Sequence, residues 1–197
     1  MEVLEAIQQR HSVRQYTTQV VEEEKLQTIL AAAAAAPVGM GQYKTMHLTV
    51  VQQPEILAKL AEAGKAAFGR DLTYGAPTLI IVSAAPSEQV PGMEKYSSAT
   101  ILENMMLAAT SEGLGSVFLL AVAAIASQSE ELRQLLQRPD GSYPQPLWPS
   151  ATRPVHRDRR STRLQSQDCK RSRFLFYRKS HQYAQERVCR WLSYVHL

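Results

Sequence analysis

A chain of 197 residues, 45% hydrophobic and 20% charged, is long enough to bury one substantial core and gives no reason to expect a second full domain. No cationic leader with an apolar core and a small-residue cleavage site opens it, and its longest apolar run, Val117 to Ala126, is about half of what a bilayer-spanning helix requires. Secretion and membrane insertion therefore fall away as expectations and the cytoplasm is the default. Cys169 and Cys189 have neither metal-ligand nor Cys-x-x-Cys spacing, so no metal site is expected.

The formal net charge of +4 conceals a division. Residues 1–144 carry 10 Lys and Arg against 15 Asp and Glu, whereas residues 145–197 carry 12 against 3. Such asymmetry ordinarily points to a tail that binds nucleic acid or an anionic surface.

In chain order, Val3, Leu4, Ala6 and Ile7 are apolar at helical spacing, which predicts a first helix over residues 2–9. The next stretch, Arg10-His11-Ser12-Val13-Arg14-Gln15-Tyr16, concentrates anion-binding groups just past the helix end. In extended backbone Arg10, Ser12 and Arg14 would share one face and His11 and Val13 the other. Two planar forks and a hydroxyl on one face suit a phosphate. A solvated charged loop is the plainer reading, since Arg-x-Ser-x-Arg triplets are frequent by chance.

A second helix is predicted over residues 22–36. Glu22, Glu23 and Glu24 complement the dipole of its first turn, the six alanines Ala31 to Ala36 favour it, and Pro37 ends it. Pro37 to Lys44 is a Gly-rich loop in which Gly39 and Gly41 permit close backbone approach to a planar ligand, or simply make a flexible connector. His47 to Val51 alternates as a strand with His47 capping or edging it. Pro54 to Phe68 reads as a helix after a Pro start, and Ala76 to Val82 as a central buried strand.

Tyr96 to Glu112 is the longest predicted helix, with Ile101, Met105, Leu107, Ala108 and Ala109 as its buried face. Gly113-Leu114-Gly115-Ser116 closes it with a glycine cap, Val117 to Leu120 reads as the next strand, and Ser127 to Leu136 as a capped surface helix before a Pro139-Asp140-Gly141 turn. Helices alternating with strands predict an α/β or α+β domain whose central sheet is covered by helices. No nucleophilic triad and no His/Glu metal spacing is present.

The order of these segments carries more than any one of them. Arg-x-Ser-x-Arg-x-Tyr near the start, a Glu-rich helix, Ala36-Pro37 opening a Gly-rich loop, a strand, and Asn104-Met105-Met106-Leu107-Ala108-Ala109 leading to Gly113-Leu114-Gly115-Ser116 resemble the FMN-dependent nitroreductase family over about residues 1–144. The resemblance implies an α+β, three-layer α/β/α domain with a central mixed sheet. It implies a homodimer with FMN at the subunit interface, reduced by NADH or NADPH and reoxidised by a nitroaromatic, quinone or similar small acceptor. Arg10 and Ser12 would hold the ribityl phosphate, Arg14 would lie nearer the pyrimidine edge, and His11 would add backbone or edge contacts. In the family the loop after Ala-Pro carries a Ser, then an Asn and a Gln that touch the flavin ring. Here Val38 and Gly41 stand at the first two places and Gln42 remains. Pro37, Val38, Gly39 and Gln42, with Gly113, Leu114 and Gly115, complete the implied cofactor site, and no residue is required as nucleophile or general base. A flavin-binding member with lost or altered redox activity is the alternative that Val38 and Gly41 motivate.

From Gln145 onward periodicity vanishes and composition shifts to Arg, Ser, Gln, Trp and Cys. Two readings stand open for residues 145–197: a disordered basic tail able to bind nucleic acid, or a segment translated out of frame. A two-base shift forces alanine from the Trp148-Pro149 codons and permits Ala-Ala-x-Leu-Ala-Ile-Gly-Tyr-Pro, similar to the last core strand of nitroreductases. On that reading the domain lacks its last strand. The absence of aromatic residues interleaved with basic ones on any predicted element argues against nucleic acid.

Overall fold

A computed structural model describes residues 1–136 and the backbone of 143–144, 148–152 and 195–196. Helices α1 (Val3–Gln9) and α2 (Glu23–Ala34) precede strand β1 (Met46–Val51) and helix α3 (Pro54–Phe68). Strand β2 (Thr78–Ala84), helix α4 (Met93–Ser111) and strand β3 (Leu114–Ser116) follow, then helices α5 (Leu120–Gln128) and α6 (Glu130–Leu135). Strands β4 (Tyr143–Pro144), β5 (Trp148–Thr152) and β6 (Val195–His196) complete the sheet.

The sheet runs β3-β5-β2-β1-β6, with β4 also on β2. The β1–β6 pair is parallel and the other pairs are antiparallel, so the sheet is mixed. Alternation along β1 and β2 divides the core between its two faces. Leu48, Val50, Ile80 and Val82 pack with Leu26, Ile29 and Leu30 of α2 and with Ile101, Leu102 and Met105 of α4. Val51, Leu79 and Ile81 face the opposite way, against Leu60 of α3, Val122 and Ala126 of α5, and Leu132 of α6. The architecture is the three-layer α+β arrangement that the resemblance implies, and it falls within the α/β or α+β class expected from the order of elements.

Local chemistry sets most boundaries. Pro54 opens α3 at a position that needs no N–H donor, and Gly69 closes it at φ 71°, its N–H donating to the Lys65 carbonyl at 2.8 Å. Other boundaries move. Glu22 is the N-cap of α2, leaving Glu23 and Glu24 in the first turn, and α4 starts one turn earlier than Tyr96. The deep face of α4 is Ile101, Leu102, Met105, Met106 and Ala109, while Leu107 and Ala108 are half-buried. The strand expected at Val117 to Leu120 lies instead at Leu114–Ser116, and the apolar run after it turns into α5. Helix α6 is capped by Ser129 rather than Ser127, the Ser129 Oγ accepting the Leu132 N–H at 3.2 Å. His47 is buried inside β1 opposite Ser83 rather than at an edge. The Pro139-Asp140-Gly141 turn lies outside the described residues.

Of the four apolar residues that predict α1, only Ala6 is buried; Val3, Leu4 and Ile7 are 70%, 74% and 51% exposed. Residues of the basic segment also enter the sheet, since β5 lies between β2 and β3. In that strand Pro149 stands opposite Leu79 and offers no N–H to either neighbour. Among the described residues no helix is long and apolar enough to cross a membrane.

Candidate functional site

Helix α1 ends at Arg10, whose N–H donates to the Ala6 carbonyl at 2.9 Å while its own backbone turns extended. The chain then meets the end of β3. Ser12 forms a parallel bridge with Ser116, and the Val13 N–H donates to the Ser116 carbonyl at 2.9 Å. Thus the Arg10–Arg14 stretch and the Gly113–Ser116 stretch, about a hundred residues apart, lie side by side.

Val13 is buried, whereas Ser12 and Arg14 are exposed and Arg10 is half-buried with its Nε 3.8 Å from Glu103 Oε1 of α4. The expected alternation fails at His11, which is exposed and turned back toward the helix end, its Nδ1 donating to the Gln9 carbonyl at 2.9 Å. Tyr16 closes the stretch. Its hydroxyl donates to the Val13 carbonyl at 2.7 Å, and burial pushes the phenol above its ordinary range although Arg14 acts in the opposite direction. At the bridge itself the Ser116 hydroxyl is buried and has no hydrogen-bond partner among the described residues.

The glycines of β3 answer to packing. A Cβ at Gly115 would come within 2.8 Å of Val13 Cγ2, so the absence of a side chain lets the amino-terminal stretch lie against the strand. Gly113, at φ 75°, turns the chain out of α4. Leu114 belongs to the α2–α4 core. Of the three, Gly113 is exposed and Leu114 and Gly115 are buried.

The Gly-rich loop is a tight turn. Met40 and Gly41 both take positive φ, 56° and 67°, and the Gly41 N–H donates to the Val38 carbonyl at 2.9 Å. Pro37 is exposed and Val38 is buried against the core, while Gln42 remains half-exposed beyond the turn. A Cβ at Gly39 would fall on the Met93 side chain, whose flexible thioether end would have to move aside.

Helix α4 holds both stretches. The Ser97 Oγ accepts the Gly39 N–H at 3.0 Å, the Thr100 hydroxyl lies 2.7 Å from the Pro37 carbonyl, and the Asn104 amide donates to the Ala32 carbonyl at 3.2 Å. Spacing of i, i+3 and i+7 puts these three on one helix face, and Glu103 flanks them toward Arg10. Sequence reasoning missed Ser97, Thr100, Glu103 and Ser116 as site residues. The signal for the three on α4 was a polar stripe within the helix, which a search for the buried face passes over; Ser116, on β3, carried no such signal. Among the described residues no group of three or more His, Cys, Asp or Glu could hold a metal.

Fold and site together define a three-layer α+β protein whose amino-terminal Arg-x-Ser-x-Arg stretch is zipped onto a sheet edge beside a glycine-rich turn. The nitroreductase family model matches residues 7–70 and 65–147. A protein of Methanothermobacter thermautotrophicus named as an NADH dehydrogenase/NAD(P)H nitroreductase is 35% identical over 145 residues, 73% of each chain. One of the same name from Archaeoglobus fulgidus is 32% identical over 142 residues, 71% of this chain and 78% of that one. The crystal structure of a nitroreductase with bound FMN from Bacteroides fragilis superimposes with a TM-score of 0.74 at 29% identity, covering 88% of this chain and 100% of that one. The chain belongs to the nitroreductase family.

Proposed function

We propose that this chain is an FMN-dependent oxidoreductase, working as a homodimer in the cytoplasm. It passes reducing equivalents from NADH or NADPH to a nitroaromatic, quinone or similar small acceptor. The observation that carries this reading is the Ser12–Ser116 bridge, which joins the two motif-bearing stretches at one sheet edge. The names of the archaeal relatives and the flavin of the Bacteroides structure support it.

The donor set suits a phosphorylated flavin. Arg10, Ser12 and Arg14 supply two guanidiniums and a hydroxyl, and the buried Ser116 hydroxyl, unpartnered among the described residues, lies at the same bridge. Bound FMN would supply the two-electron chemistry, accepting hydride from the nicotinamide and giving electrons on to the acceptor. Arg10 and Ser12 hold the phosphate. Arg14 would set a cation at the pyrimidine edge, favouring the negative charge that a reduced flavin carries. His11 and the backbone at Gly113, Leu114 and Gly115 line the approach, Gly113 exposed and the other two buried, while Pro37, Val38 and Gly39 shape the turn that delivers the Gln42 amide to the ring. None of these residues need act as nucleophile or base.

Val3, Leu4 and Ile7 leave an apolar stripe on α1, which supports a second copy of the chain as the covering partner. Residues 1–144 form the flavin-binding unit in this reading and residues 145–197 an atypical basic tail, from which strands β5 and β6 join the unit's sheet.

The test is the visible absorption spectrum of natively purified protein with identification of any released chromophore. FMN near one per subunit, bleached by NADH or NADPH and restored by an acceptor, is the expected result. Colourless protein that takes up no added FMN overturns the proposal. Flavin that binds without being bleached favours a member with altered redox activity, the reading that Val38 and Gly41 motivate.

A further inference from the structure

We infer that Ser97 and Thr100 are positioning residues that set the Gly-rich turn for the flavin ring, an inference that rests on the proposed function. The turn is unusual in holding a non-glycine residue, Met40, in the left-handed region beside Gly41. Such a conformation persists only where its surroundings over-determine it. The fastening lies on α4. Ser97, only 4% exposed, receives the Gly39 N–H at 3.0 Å, immediately before the strained pair. Two residues earlier in the loop, the Thr100 hydroxyl lies within donating distance of the Pro37 carbonyl at 2.7 Å and of its own helix carbonyl at Ser97 at 2.8 Å, so it sits between loop and helix. Between these anchors Val38 is buried in the core.

The arrangement matters because the loop's own side chains contribute little. Val38 is turned inward and Gly41 has no side chain, so beside the exposed Met40 and the half-exposed Gln42 it is the backbone that would meet a planar ligand. A backbone surface recognises a ring only if held in register, and the register here is set by two hydroxyls on a helix. The phosphate end is held separately, by the Arg10–Arg14 stretch.

This division gives the test. Apo-protein, freed of cofactor, is titrated with FMN and with riboflavin, for wild type and for Thr100→Val, Thr100→Ser and Ser97→Ala, alongside thermal melts. Thr100→Val keeps the shape and removes the hydroxyl; Thr100→Ser keeps the hydroxyl. We expect Thr100→Val and Ser97→Ala to weaken both flavins by the same factor, about threefold to tenfold, with a shifted visible band, and Thr100→Ser to retain wild-type affinity and spectrum. Wild-type binding by both Thr100→Val and Ser97→Ala overturns the inference. So does a Thr100→Ser variant that loses affinity in step with its melting temperature, since the methyl group would then be the important part. Selective loss of FMN over riboflavin also overturns it, because it assigns the effect to the phosphate end. If wild type binds neither flavin, the functional proposal itself has failed and the inference falls with it, a result separable from the others by the wild-type titration alone.

Discussion

Val13 occupies the space that a side chain on Gly115 would need: a Cβ built there comes within 2.8 Å of Val13 Cγ2 and about as close to two further Val13 carbons. Because the Val13 N–H also donates to Ser116, the amino-terminal stretch is fastened to β3 through both backbone and side chain.

Gly115→Ala should therefore destabilise the protein by about 1–3 kcal/mol, since β-branched Val13 cannot rotate freely out of the way. The melting temperature should fall by roughly 2–4 °C for each kcal/mol. Adding Val13→Ala should recover part of the loss, giving a clear coupling in a double-mutant cycle. Strict additivity would show that the two residues do not share the space.

Tyr16→Phe removes the hydrogen bond to the Val13 carbonyl and should cost about 1 kcal/mol near neutral pH. The pH dependence follows from burial, which raises the phenol above its ordinary pKa of about 10. Below that value Tyr16 is protonated in both states and its stabilisation is fully present. As pH rises past about 10 the unfolded chain loses the proton first, so the folded form binds more protons and stability drops. Urea melts from pH 8 upward should show the gap between wild type and Tyr16→Phe closing on the alkaline side; a constant gap would contradict it.

Arg10→Ala should weaken FMN roughly tenfold to a hundredfold, the worth of a charge-assisted hydrogen bond, and leave riboflavin affinity unchanged. The surviving FMN binding should also depend less on salt. Equal loss of both flavins would remove Arg10 from the phosphate end.

Leu4 is 74% exposed on the α1 stripe. Leu4→Asp places a charge on the surface proposed to pair with a second copy, so sedimentation should move from dimer toward monomer, with flavin released in parallel. An unchanged dimer would locate the subunit contact elsewhere.

How much of this was legible in the sequence varies with the range of the interactions involved. Helix α3 could be read to the residue because its limits are written locally, in Pro54 and Gly69. The two-faced core of β1 and β2 follows from alternation and a continuous apolar run. The Arg10–Arg14 stretch announced itself by residue type, although its partner at Ser116 did not, because β3 is fixed by pairing with Ser12 and β5 rather than by its own composition. For that reason Val117 to Leu120, richer in strand-forming residues, drew the expectation away from Leu114–Ser116. The anchors on α4 were missed for a related reason: a serine and a threonine within a helix read as neutral until the loop lying across them is seen. Strand β5 was the least legible, since Trp148–Thr152 does not alternate and includes Pro149.

The position of β5 governs the order in which the molecule can be assembled. Thr78 pairs with Ser150 across roughly seventy residues of chain, and Leu114 pairs with Thr152. During synthesis β2 and β3 emerge well before the strand that separates them, and each presents an unpaired edge until it arrives. Closure of the sheet must then wait for a distant segment to thread between two strands already in place. Refolding on the slow, millisecond-to-second side of the range is the expected result, with the interval before closure the period most exposed to association between chains.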